Sequence, residues 1–245
     1  MLGVALVATV VALGACSSGS DDETEARGPE EILADAAAAM STVESAAFTI
    51  EQTGAVVFID DDGQLAFKSA DGRFAAPASS DALVTIDALG FTTQVGAVAI
   101  DGELWFSNPL TGEWTEAPDG FSFDPAVVFD TEEGFPALLT EAAASDSTDL
   151  IDESPDPADG DQTAGEGDDR HHLRTLAAAA RVAVLTSGLV TEESMVDLWI
   201  DAATDRVVEV QFEVDVDGAA SSWRMTVADY DADVTITPPE LGADG

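Results

Sequence analysis

Four groups of residues in the 245-residue chain have types and spacings that could do chemistry. They are Cys16, the pair His171-His172, the acidic run Asp156-Pro157-Ala158-Asp159-Gly160-Asp161, and Asp60-Asp61-Asp62 before Gly63. Adjacent histidines point to opposite faces of a strand and diverge by about 100° on a helix, so the pair does not naturally serve one metal ion. The run at Asp156 lacks the spacing and the closing Glu of an EF-hand and reads as a solvated acidic loop. The cluster at Asp60 reads as a hairpin turn. Carboxylates are so frequent in this chain that two of them close in sequence say nothing about acid–base work. Neither a Gly-x-Ser-x-Gly elbow nor a phosphate loop is present. The sequence therefore proposes no catalytic residue, no metal site and no cofactor, and the chain reads as not an enzyme.

Cys16 is different. It is the single cysteine, so it forms no intramolecular disulfide. Residues Met1 to Ala15 carry no charge and include Val4, Ala5, Leu6, Val7, Ala8, Val10, Val11, Ala12 and Leu13. At 1.5 Å per helical residue this run spans ~22 Å, short of the ~30 Å hydrocarbon core, so it fits an export signal and not a spanning helix. It ends Leu13-Gly14-Ala15-Cys16, which resembles the lipobox of bacterial lipoproteins, with cysteine as the acyl acceptor. Ser17-Ser18-Gly19-Ser20-Asp21-Asp22-Glu23 follows as a polar tether. The expectation is a signal peptide over 1–15, an acylated tether over 16–28, and a chain held through Cys16 on the outer face of the cell membrane. No basic residue precedes the apolar run, which places the true start a few codons upstream.

The remaining length fits one domain, 29–240, with a short tail, 241–245. A hydrophobic fraction of 46% supplies a sizeable core. Charge is the outlier: 49 acidic residues against 8 basic ones give a formal net charge of −41. Such a surface repels phosphates and anionic headgroups, which excludes nucleic acid as a partner. It also suits salty surroundings, where screening removes self-repulsion.

The elements follow from periodicity. Pro29 to Ser45 reads as a helix, with Pro29 and Glu30-Glu31 at its start and Ile32, Ala36, Met40 and Val43 on one face. Strand-like runs follow at Ala46–Thr53, Ala55–Ile59, Leu65–Ser69, Ala82–Leu89, Thr92–Ile100 and Glu103–Ser107. The turns between them are Asp60–Gly63, Ala70-Asp71-Gly72 and the hairpin signal Asp101-Gly102. Asp124-Pro125 opens a short helix and Phe135–Ala144 forms another. The stretch 152–169 is nearly devoid of apolar residues and reads as a mobile acidic loop. His171–Leu176 reads as a strand and Ala177–Leu185 as a short helix.

Toward the C-terminus, Val208, Val210, Phe212, Val214 and Val216 alternate with polar residues. Val196, Leu198 and Ile200 do the same in the strand before, and Trp223, Met225 and Val227 in the strand after, with turns at Asp201–Asp205 and Asp217–Ser221. This is an antiparallel meander with one apolar face. The fold class is α+β: a curved antiparallel sheet whose apolar face is covered by a few helices. Trp105, Trp114, Trp199 and Trp223 fit core or rim positions, with a ligand-lining role as the alternative.

Several segments resemble the LppX/LprAFG family of envelope lipoproteins. They are Ala99 to Trp114 (with Glu103-Leu104-Trp105-Phe106), Phe123-Asp124-Pro125-Ala126-Val127-Val128-Phe129, Gly134-Phe135-Pro136-Ala137-Leu138-Leu139, Asp197 to Val208, and Asp233 to Pro238. The helix with Met40 and the following Ser45-Ala46-Ala47-Phe48 fit too, so the likeness covers roughly 29–240. It implies a half-barrel sheet wrapped around helices, similar to periplasmic lipoprotein carriers, enclosing an apolar cavity that takes acyl chains of lipids or glycolipids. An envelope transporter is a candidate partner. Such cavities have no lining motif, so the candidates come from the apolar faces: Leu104, Phe106, Leu138, Leu139, Val196, Leu198, Ile200, Val210, Phe212, Val214, Met225 and Val227. The alternative is a non-catalytic scaffold or assembly lipoprotein with a closed core.

Overall fold

The computed structural model describes residues 27–60, 62–88, 90–117, 123–151 and 170–241. Cys16, the leader, the tether before Arg27, the acidic run from Asp156 and the tail beyond Leu241 lie outside the described residues. Helix α1 (Pro29–Met40) starts at the proline, carries Glu30 and Glu31 in its first turn, and buries Ile32, Leu33, Ala36, Ala37 and Met40. It stops earlier than the expected Ser45. Ser41 and Thr42 turn their hydroxyls back onto the carbonyls of Ala38 and Ala39, at 2.7 and 2.9 Å, and β1 begins at Ser45.

Eleven strands form one sheet among the described residues: β1 (Ser45–Gly54), β2 (Leu65–Ala75), β3 (Ser79–Ala88), β4 (Phe91–Ile100), β5 (Glu103–Ser107), β6 (Trp114–Glu116), β7 (Asp149–Ile151), β8 (Arg170–Ala177), β9 (Ser194–Asp201), β10 (Val207–Val216) and β11 (Ala219–Ala228). Their order is β6-β5-β4-β3-β2-β1-β11-β10-β9-β8-β7, every pairing antiparallel. Two meanders thus meet at β1 and β11, and β6 and β7 are the outer edges of an unclosed, curved sheet. The chain must travel from one edge to the other between β6 and β7. That crossing carries the 3₁₀ helix Pro125–Phe129 and α2 (Phe135–Ala143), while α3 (Ala179–Leu185) lies between β8 and β9. Topology, more than local propensity, puts these helices on the sheet's inner face.

Two tight hairpins are set by paired positive φ values, at Asp101-Gly102 (51° and 84°) and at Asp217-Gly218 (55° and 85°). The second is shorter than the expected turn Asp217–Ser221, because Ala219, Ala220 and Ser221 already pair with β10.

Other expectations are corrected. Ala70-Asp71-Gly72 is not a turn: all three residues lie inside β2, where Ala70 pairs with Ile50 and Gly72 with Phe48. Ala55–Ile59 is not a strand. It makes one bridge, Phe58 to Ala66, and hydrogen bonds from Ile59 N to Leu65 O and from Phe67 N to Val57 O. Val208 is not on the buried face either. A bulge between Val207 and Glu209 puts Val207 inside and leaves Val208 half-buried, so strict alternation starts only at Val210. The short edge strands β6 and β7 had no periodic signal.

The core is a single cluster. The inner face contributes Phe48, Ile50, Phe67, Phe74, Val84, Ile86, Val196, Leu198, Ile200, Val210, Phe212, Val214, Trp223, Met225 and Val227. Against it pack Ile32, Leu33 and Met40 of α1, Phe135, Leu138 and Leu139 of α2, Val182 and Leu185 of α3, and Phe129. All described elements between Pro29 and Ala228 share this cluster or the sheet that backs it.

Candidate functional site

The inner face has two halves of different grain. On β1 to β4 it alternates large rings with Ala46, Ala70, Gly72, Ala82, Ala97 and Ala99, and the small residues leave room for rings stacked above the sheet. Phe129 uses that room: it stacks on Phe74 at 4.5 Å and 12°, and meets Phe48 at 6.2 Å and Phe135 at 5.9 Å. The Asp124 carboxylate caps the 3₁₀ helix that carries Phe129, accepting from Ala126 N at 2.9 Å. Burial pushes the Asp124 carboxyl above its ordinary range, against the pull of its bonds from Ala126 and Ser80.

On β8 to β11 the inner face is mostly apolar, with Thr175, Ser194 and Ser221 as its buried polar residues. Leu173, Leu198, Val210 and Met225 run across four strands in register, and Val196, Phe212 and Trp223 form the neighbouring row. That second row continues as an aromatic file. Phe212 lies parallel to Trp223 at 6.2 Å, Trp223 stacks on Phe67 at 5.5 Å, and Phe67 meets Phe123 at 5.6 Å. Gln52, directly across from Trp223, is turned away from it. Its amide nitrogen donates to Thr53 O, Ala55 O and Ser221 Oγ, at 3.0, 2.6 and 2.9 Å.

The structure brings Leu138, Leu139, Val196, Leu198, Ile200, Val210, Phe212, Val214, Met225 and Val227 into the one buried cluster. Leu104 and Phe106 also lie on the inner face, opposite Ala99 and Ala97, but near the β6 edge, where both remain half-buried. Periodicity missed Phe67, Phe74, Phe123 and Phe129. A bulge between Phe67 and Ser69 breaks the period in β2, and the last two rings precede or sit in non-sheet structure. Phe123 and Phe129 had shown only in the segment that carries the family likeness.

The outer face is ionic. Arg174 and His172 both bond Asp197, with His172 Nε2–H donating at 2.7 Å, and His172 stacks on Trp199 at 4.3 Å. His171 projects the other way and accepts from Arg27 at 3.2 Å, as a strand requires of neighbouring residues. Arg224 grips Glu209 through two bonds of 2.8 and 3.0 Å. Burial raises the Glu209 pKa, but the bonds from Arg224 and Gln211 outweigh it, so the carboxyl sits below its usual value. Two open grooves of about 600 and about 500 Å³ lie here. One is beside Arg174, Asp197, Met195 and Gln211 and is also lined by Phe212 and Trp223; the other is beside Arg73, Leu83 and Trp114. Trp105, Trp114 and Trp199 all project from the strand positions of this face, and only Trp223 faces inward. Among the described residues, no group of three or more His, Cys, Asp or Glu side chains could hold a metal ion, and no helix is long and apolar enough to cross a membrane.

The architecture is an unclosed, curved antiparallel sheet with helices laid into its inner face and its charges outside. The family model described as LppX_LprAFG lipoprotein matches residues 28–236, and the chain belongs to that family. Among solved structures, LprF from Mycobacterium bovis is similar with a TM-score of 0.61 at 16% identity, covering 87% of this chain and 97% of its own. LppX from Mycobacterium tuberculosis is similar with a TM-score of 0.51 at 14% identity, covering 85% of this chain and 98% of its own. At these identities the likeness is one of fold. No curated protein sequence matches the chain.

Proposed function

We propose that the protein is an acylated envelope lipoprotein, anchored through Cys16, that takes acyl chains of lipids or glycolipids between its sheet and helices and carries or presents them. Membership of a family of lipid-binding envelope proteins supports the reading. The observation that carries it is the inner face itself. It is mostly apolar across β1 to β4 and β8 to β11, it belongs to an unclosed sheet, and only short helices cover it. Helices resting on an unclosed sheet can separate from it without breaking a strand pairing. Transfer of acyl chains from water is worth ~0.8 kcal/mol per CH₂, so two long chains bind without any catalytic group. The role is non-catalytic, and the donor and acceptor are membranes or an envelope transporter.

The same observation offers a second reading, a scaffold with a closed core, because ten of the twelve candidate residues are already buried against protein. Native mass spectrometry with lipid extraction, on a soluble form lacking residues 1–16, separates the two. The expected result is co-purified lipid that is lost in Val210→Trp, with the melting temperature nearly unchanged. Absence of lipid from the wild type, together with destabilisation of ~1–3 kcal/mol by each large substitution at Val210, Leu198 and Phe106, overturns the carrier reading.

A further inference from the structure

Trp223 has a polar atom that the fold does not use. The residue is 3% exposed, and its indole nitrogen is one of the few buried side-chain polar atoms with no hydrogen-bond partner among the described residues. Native interiors rarely leave a buried donor unpaired, because its lost hydration is then uncompensated. Gln52, the residue across the ladder, gives its amide nitrogen to two carbonyls and Ser221. Phe67 and Phe212 lie nearly parallel to the indole, at 13° and 1°, and so offer no ring face to the N–H edge.

We infer that Trp223 Nε1 is the donor that fixes an ester carbonyl oxygen of the bound lipid, with the acyl chain beside it lying along the file Phe67–Trp223–Phe212. The inference rests on the lipid-carrier reading and adds the chemical class of the ligand. A free fatty acid or a phosphate would bring an anion to this place. The cations of the sheet, Lys68, Arg73, Arg170, Arg174 and Arg224, occupy outer-face positions. Lys68, Arg73, Arg174 and Arg224 pair there with Asp87, Asp81, Asp197 and Glu209, and Arg170 lies within reach of Glu209. The polar residues described on the inner face near Trp223 are neutral: Gln52, Ser221, Thr175 and Ser194. An anion there would have to draw a cation such as Arg174 away from its carboxylate, whereas a carbonyl oxygen needs only the one N–H. The site therefore selects esterified chains over free acids.

The test uses a soluble form lacking residues 1–16, stripped of lipid, with ¹⁵N-labelled tryptophan and two probes, dioleoylglycerol and oleate. Trp223→Phe keeps an aromatic ring and removes the N–H, and the indole resonance it abolishes identifies Trp223 in the wild type. The expected result is a downfield shift of that resonance with dioleoylglycerol, absent with oleate. The variant should bind dioleoylglycerol about five- to tenfold more weakly and oleate unchanged. Binding of dioleoylglycerol with the resonance unmoved overturns the inference and leaves the carrier reading intact, as does equal binding by the variant. An equal shift with oleate overturns the ester selectivity. Failure of the wild type to take up either probe overturns the carrier reading itself.

Discussion

Phe48 of β1 rests on the backbone of Gly72 in β2, its partner in the ladder. A methyl group at residue 72 would lie 2.4 Å from Phe48 Cζ and 2.4 Å from the carbonyl oxygen of Asp81. The ring covers the strand where a side chain would otherwise stand, and its far edge supports Phe129. Gly72→Ala is expected to destabilise by about 1–3 kcal/mol, since the Asp81 carbonyl belongs to the β2–β3 ladder and cannot step aside. Urea unfolding followed by circular dichroism measures this. A change below about 0.5 kcal/mol would mean that the ladder at this point is looser than described.

Asp124 gives a pH signature. Its carboxyl is raised by burial, so the folded protein holds this proton more tightly than the unfolded chain does. The ionised group therefore costs stability that grows as pH rises above the unfolded carboxylate range, near 4. Asparagine caps a helix about as well as aspartate and carries no charge. Asp124→Asn should melt level with the wild type near pH 4 and above it at pH 7. A variant less stable at pH 7 than at pH 4, relative to the wild type, would reverse this assignment.

Glu209 gives the opposite sign. Its folded pKa is lowered by Arg224 and Gln211, so the stability it lends is present at neutral pH and is lost as pH falls through the carboxylate range. Arg224→Ala removes the two-bond partner from a carboxylate that is almost buried, and should cost about 1–3 kcal/mol at pH 7, less at pH 4. Glu209→Gln in the same background should recover part of the loss. Equal losses at both pH values would assign the effect to the arginine's packing instead.

Cys16 is the one acceptor thiol in the chain. Cys16→Ala is expected to abolish labelling by fatty acid analogues and to leave the precursor at its unprocessed mass on gels. Undiminished labelling of the variant would place the anchor elsewhere.

Much of this architecture was legible in the sequence because β9, β10 and β11 bury one face and wet the other, so Val196, Leu198, Val210, Phe212, Trp223 and Met225 announce themselves by period two. The misreadings share a cause. Ala70, Asp71 and Gly72 are turn formers by composition, yet β2 needs small residues there so that rings from β1 and the crossing segment can lie on it. Val208 looked like a core residue because a bulge is invisible to a strict alternation count. The long crossing from β6 to β7 could not be deduced from either strand, since each has three residues and no period. The polar role of Trp223 was equally hidden. A tryptophan on an apolar strand face reads as packing until its nitrogen is seen to lack an acceptor.

An unclosed sheet has two ends at which further strands could be added without limit. Both ends here are stubs of three residues, Trp114–Glu116 and Asp149–Ile151, too short to template a neighbouring chain. On the first, Leu241 makes one parallel bridge to Trp114, which covers part of that edge. An open sheet with long margins would invite fibrous growth, and these blunted margins oppose it.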